Sequence, residues 1–245
     1  MAELSIGTSG FQYDHWRGPL YPPGLPRDAW LTHYAARFSS VELDSTFYGL
    51  PERDSVVRWR EQVPEGFVFA VKLSRYATHM KHLRHPRGWL ERFLDAVDPL
   101  GPALGPILVQ LPPRWHRDVP RLAGFLEVAP HGRRFAIEVR DPDWLHASVY
   151  DVLAAHDAAL CVHDLIEDHP RIVTASWVYL RFHGPHAGRP YTGSYSSHAL
   201  SGAARRIRRH LGEGRDVYAY FNNDSQAHAV RNATDLRRYL LKEGG

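Results

Sequence analysis

The sequence predicts an α/β fold, a single (β/α)₈ TIM barrel of eight parallel strands with outer helices, forming one domain over residues 1–245. Three observations carry that expectation. Short apolar runs alternate with helical stretches about eight times along the chain, and such alternation implies parallel strands joined by right-handed crossovers. The 245 residues match one barrel, a fold of roughly 250 residues. No linker-like or low-complexity segment divides the chain.

The elements follow in order. The first strand is expected at Leu4–Thr8, rich in apolar residues. Gly7-Thr8-Ser9-Gly10 then runs into Phe11-Gln12-Tyr13 and not into a helix, so the dinucleotide fingerprint is absent. Pro19, Pro22, Pro23 and Pro26 mark a long loop before a helix at Arg27–Phe38. The second strand is Ser40–Asp44, followed by a helix at Asp54–Gln62 with Asp54 as its expected cap. Phe67–Leu73 and Ile107–Leu111 are the third and fourth strands, each followed by a helix, at Arg87–Val97 and Val119–Val128. Asp118 caps the latter, with Pro120 in its first turn. The fifth strand, Phe135–Arg140, precedes a helix at Ser148–His156. The sixth, Ala159–Asp164, leads into a short crossover near Asp168–Thr174 whose helix is expected to be rudimentary. Trp177–His183 is the seventh strand, followed by a long loop, Gly184–Ser197, and a helix at Ser201–Leu211. Val217–Asn222 and a helix at Gln226–Leu241 complete the series.

Side chains alternate between the two faces of a strand. In the third strand Phe67, Phe69, Val71 and Leu73 form a bulky set that should meet the helices, leaving Val68, Ala70 and Lys72 inward. The same parity sends Glu42 and Asp44, Gln110, Glu138 and Arg140, and Tyr179, Arg181 and His183 inward. Tyr218, Tyr220 and Asn222 share one parity, and the sixth strand leaves His163 and Asp164 ambiguous. At least five strands thus end in charged or amide side chains facing inward. Burying an unpaired charge costs several kcal/mol, so a pocket at the C-terminal mouth is expected. A buried ion-pair network that only fixes the fold would explain one pair, such as Lys72 with Glu42 or Glu138. It would not explain carboxylates, guanidinium groups, amides and imidazoles together.

Glu42, Lys72, Glu138, Asp164 and His183 are the candidate catalytic residues. Tyr48, Gln110, Arg140, Arg181, Asn222 and Asn223 are the candidate substrate-binding residues. Lys72 and the two arginines suit a phosphate or carboxylate. A lysine among mixed charges could also form a Schiff base. Glu42, Glu138, His163, Asp164 and His183 could ligate a divalent metal, but the three nearby cations disfavour one. Cys161 is the only cysteine, which excludes an internal disulfide and multi-cysteine metal sites.

The net charge is +3 and the isoelectric point about 9.0, mildly favouring an anionic ligand. Arg205-Arg206-Ile207-Arg208-Arg209 reads as a solvated helix face. Nucleic acid is a weakly supported partner. No run approaches the ~20 apolar residues of a membrane span. The N-terminal residues lack a leader pattern, so a cytoplasmic location is expected.

Several segments resemble a known family. They are Ile6-Gly7-Thr8-Ser9-Gly10-Phe11 with Trp16-Arg17-Gly18 and Tyr21-Pro22, Val41 to Tyr48, and Phe69-Ala70-Val71-Lys72 with Thr78-His79. Gln110-Leu111-Pro112-Pro113, Glu138-Val139-Arg140 with Trp144, Arg181-Phe182-His183-Gly184 and Tyr220 to Asp224 complete them in order. This set is similar to that of the bacterial and archaeal YecE-like family, domain of unknown function seventy-two. The resemblance implies a TIM barrel and no settled reaction. One departure is Asp44, where the family commonly has asparagine, adding negative charge near Glu42. The function expected is an enzyme acting on a small polar or anionic substrate by acid–base catalysis, with hydrolase, isomerase and lyase chemistry undistinguished. The alternative is a non-catalytic ligand-binding or nucleic-acid-associated protein. Lys72→Met and Glu138→Gln are expected to spare folding and abolish ligand binding.

Overall fold

Every apolar run named above becomes a strand in the structure, a computed structural model that describes residues 1–186 and 188–241. The strands are β1 (Leu4–Thr8), β2 (Ser40–Leu43), β3 (Val68–Lys72), β4 (Leu104–Gln110), β5 (Phe135–Glu138), β6 (Ala159–Leu160), β7 (Val162–His163), β8 (Trp177–Phe182) and β9 (Asp216–Phe221). The helices are α1 (Trp30–Ala35), α2 (Ser45–Tyr48), α3 (Arg53–Glu61), α4 (Pro86–Val97), α5 (Val119–Leu126), α6 (Ala147–Ala155), α7 (Ser197–Gly212) and α8 (His228–Leu241).

The result is an α/β fold with two parallel sheets, one ordered β1-β9-β8-β7 and the other β2-β3-β4-β5-β6. The expected α/β fold with parallel strands is present, and the element that differs is the sixth strand. The single sixth strand is two short ones, and pairing changes sides at Cys161: β6 pairs with β5, and β7 with β8. At the other junction Ser9 bridges Glu42 in parallel, and Gly10 N–H donates to Glu42 O at 2.8 Å. Gly7 allows β1 and β2 to approach there, because a Cβ on it would lie 1.9 Å from Ser40 O.

Side-chain parity divides the interior into two cores. Phe69, Val71, Ile107, Val109, Ile137, Val139 and Phe221 lie in the larger one with helix residues such as Phe93, Phe125 and Ile207. The smaller takes Ala70, Leu108, Ala136 and Ala159 from one sheet and Trp177, Tyr179, Tyr218 and Tyr220 from the other, with Cys161. Alanines on one sheet thus make room for large rings on the other, as close packing requires.

Asp118 caps α5, its Oδ1 accepting from Arg121 N–H at 3.1 Å. Asp54 does not cap α3; it sits in the first turn behind Glu52, where a carboxylate still complements the helix dipole. Residues 164–176, between β7 and β8, contain no helix. That segment descends as irregular chain, and Thr174 stands beside β6 as a strand neighbour would. Its hydroxyl accepts from Leu160 N–H at 2.8 Å and donates to Ala158 O at 2.7 Å.

Candidate functional site

The C-terminal ends of β2, β5 and β8 meet at Arg181. Its guanidinium donates to Glu42 Oε1 at 2.7 Å and Glu138 Oε2 at 2.5 Å, all three side chains being buried. Ser9 and Tyr179 hydroxyls complete the shell of Glu42, each donating at 2.6 Å. Arg140 Nε donates to the other oxygen of Glu138, and its Nη2 donates to Gln110 Oε1 at 3.0 Å. Burial alone would raise the Glu138 carboxyl; Arg140 and Arg181 more than offset that and hold it well below the usual carboxylate range. A purely structural network would pair Lys72 with Glu42 or Glu138. The structure gives that place to Arg181, whose planar fork spans both carboxylates. Only its Nε is left, buried and without a partner among the described residues.

Lys72 ends β3 and stands apart. Among the described residues no carboxylate lies within ion-pair distance of its ammonium, which sits 4.1 Å from the centre of the Phe47 ring. That ring is placed by α2, which Thr46 ties to β3 by donating to Lys72 O at 2.7 Å. Burial, and then the positive charge of Arg181, push the Lys72 amine down to about 8. Asp44, just past β2, moves oppositely: burial and then Glu42 raise its carboxyl. His79 is pushed down to about 4 by burial and by Lys72.

His183 is wholly buried and holds a defined tautomer. Nε2 accepts from Arg181 Nη1 at 3.0 Å, so Nδ1 carries the proton toward Asp164 Oδ1 at 3.3 Å. Asp164 also accepts from His183 N–H at 2.9 Å and from the Tyr195 hydroxyl. His163 is committed too, Nε2 donating to Val139 O at 2.8 Å and Nδ1 accepting from Leu165 N–H at 3.2 Å. Burial lowers the pKa of both imidazoles.

Three candidates lie apart from this cluster. Tyr48 is 81% exposed and packs edge-on against Phe47. Asn223 turns away to support structure: its Nδ2 donates to Gly193 O at 2.8 Å and Asn232 Oδ1 at 2.9 Å, tying the loop after β8 to α8. Asn222 is half-buried and enters the hydrogen bonding through its backbone N–H, which donates to Phe182 O at 2.7 Å. Among the described residues no group of three or more His, Cys, Asp or Glu side chains is gathered as a metal ion would need. The arginines already hold both glutamates.

A family model described as "Protein of unknown function DUF72" matches residues 5–244. The chain belongs to the DUF72 family. It is 36% identical over 115 residues to UPF0759 protein YecE of Escherichia coli K12, a match covering 46% of this chain and 42% of YecE. The chain thus spans less than half the length of that relative. Against UPF0759 protein YunF of Bacillus subtilis it is 26% identical, covering 97% of this chain and 94% of YunF. A DUF72 family protein of Thermotoga maritima, solved by crystallography, superposes with a TM-score of 0.84 at 26% identity, covering 97% and 99% of the two chains. One from Enterococcus faecalis gives 0.82 at 23% identity over 97% and 95%, a likeness of fold. Among the described residues of this DUF72 chain no helix is long and apolar enough to cross a membrane.

The sequence reading of the DUF72 site missed Ser9, Tyr179, Tyr195 and Tyr13, whose hydroxyl donates to Ser9 O at 2.9 Å, as partners and did not count Asp44 among the catalytic candidates. Asp44 and Tyr179 carried a signal, since both have the inward parity of their strands. Ser9, Tyr13 and Tyr195 lie in loops, where no period reveals direction.

Proposed function

We propose that the two sheets close into one eight-stranded barrel forming a single domain, and that its mouth is the active site of an acid–base enzyme for a small polar, carboxylate- or phosphate-bearing molecule. Closure is supported by the Ser9–Glu42 bridge on one side and the unbroken chain from β6 to β7 on the other. Sites of such barrels sit at the C-terminal strand ends.

One observation carries the functional reading. Lys72 is a half-buried cation without a carboxylate partner among the described residues, next to a network in which the other charges are matched. An amine poised near neutral pH can take or give a proton. Asp44, raised as Lys72 is lowered, forms the complementary acid–base partner. Arg140, 15% exposed, supplies donors for the anion. Glu42, Glu138 and His183 act as a scaffold in this reading, because their polar atoms are already engaged. The proton-transfer step is common to hydrolysis, isomerisation and elimination.

A thermal-shift screen of carboxylated and phosphorylated metabolites tests the proposal. A true ligand at a hundredfold its dissociation constant stabilises by about 2.7 kcal/mol, and Lys72→Met should remove the shift. Should no anion raise the melting temperature, or should Lys72→Met keep the shift, the reading fails. Borohydride trapping of an active mixture separates a Schiff base at Lys72 from proton transfer alone. The nucleic-acid alternative is opposed by topology: α7 leaves the mouth at Ser197, so Arg205 to Arg209 lie toward the opposite end.

A further inference from the structure

A second cavity of about 500 Å³ opens where the sixth crossover lacks a helix. Its wall is the helix-facing side of β7 and β8, with Val162, Val178, Leu180 and Phe182; α7 adds Leu200 and Ala203. The irregular segment 164–176 forms the other side, where Ile172 and Val173 are more than a third exposed. The volume falls within the range of roughly 300–1,000 Å³ for small-molecule sites.

The polar groups of this cavity are unevenly placed. Glu167, Asp168 and His169 line the end near the strand C-termini. Arg171 and Arg206 lie further down, and His210 further still along α7. Among the described residues neither arginine has a carboxylate partner; the charges acting on Arg206 are those of Arg171 and Arg205. Two histidines that line the cavity each carry a buried nitrogen without a hydrogen-bond partner among the described residues, His169 Nε2 and His210 Nδ1. His169 Nδ1 faces Pro170 O at 2.9 Å and so carries the ring proton, leaving Nε2 as a lone pair that needs a donor. Unsatisfied buried polar atoms are uncommon and call for an explanation.

We propose that this cavity binds an amphipathic anion. Its carboxylate or phosphate would sit on Arg171 and Arg206, its apolar body over Val178, Leu180, Leu200 and Ala203, and a terminal hydrogen-bond donor would reach His169. The cavity borders the mouth network through His163, Asp164 and Arg181, but the proposal does not rest on the acid–base reading.

Calorimetric titration of the full chain with decanoate, decyl phosphate, decanol and inorganic phosphate tests it. Decanoate or decyl phosphate should bind, and whichever is tighter fixes the head group. Inorganic phosphate alone should not bind, and decanol should bind at least about tenfold more weakly, the loss expected for one charge-assisted contact. A terminal hydroxyl on decanoate should strengthen binding. Arg206→Ala should weaken the anions about tenfold while leaving decanol unchanged. Ala203→Trp should block the cavity; Val173→Asp, on the exposed rim, repels the anion without touching the core if the tryptophan variant does not fold. Lys72→Met should leave decanoate binding intact. Equal affinity for decanol and decanoate would overturn the proposal, as would binding indifferent to Arg206 and Val173, or decanoate displaced by Lys72→Met. A dimer that dissociates in the cavity variants would instead assign the face to a second copy and also overturn it.

Discussion

At the scale of single residues, the contrast between Lys72 and Glu138 is the sharpest. Parity placed both at the mouth, but parity gives direction and not partners, so it could not tell that Arg181 would take both glutamates. Lys72→Met removes a cation that burial disfavours. The folded amine has a pKa of about 8 against an ordinary value of 10.5. The unfolded chain therefore binds more protons between those values, and wild-type stability rises with pH across that window. The methionine variant should be more stable below pH 8, by ~1–3 kcal/mol after allowing for partial exposure. Its advantage should vanish as pH climbs through 10.5, read by denaturant melts at a series of pH values. Glu138→Gln should do the reverse and cost about 3–5 kcal/mol at neutral pH, because it strips a carboxylate from two guanidinium groups. The depressed Glu138 carboxyl stabilises the fold above its ordinary value of 4.5, and that share is lost on acidification below it. This revises the expectation that Glu138→Gln leaves folding nearly intact.

At the scale of elements, strand directions were legible because β3, β4 and β5 alternate bulky and small or polar residues cleanly. The break between β6 and β7 was not, since Cys161 reads as one more small apolar residue in a strand. What interrupts the pairing there is a change of partner, which depends on residues far away in sequence. The place of Thr174 was equally hidden. Thr174→Val keeps the shape but leaves Leu160 N–H and Ala158 O unpaired. A loss of about 1–3 kcal/mol is expected for a buried group left unsatisfied. The Leu160 amide should also exchange faster with solvent in that variant; unchanged exchange would show that the hydroxyl is dispensable.

At the scale of the molecule, both ends of the chain are needed to finish the structure. β1 finds its partner in β9, with Leu4 opposite Val217 and Thr8 opposite Phe221. A fragment ending at Leu165 lacks β8 and β9 and should show no cooperative melt, whereas adding the remaining chain in trans should restore one if pairing alone is limiting. Arg181 adds a matter of timing. During synthesis Glu42 emerges first, and Glu138 follows with Arg140 two residues behind it. Glu42 has no guanidinium until Arg181 leaves the ribosome, 139 residues later. Until then its carboxylate favours water over the interior, where an unpaired charge is costly.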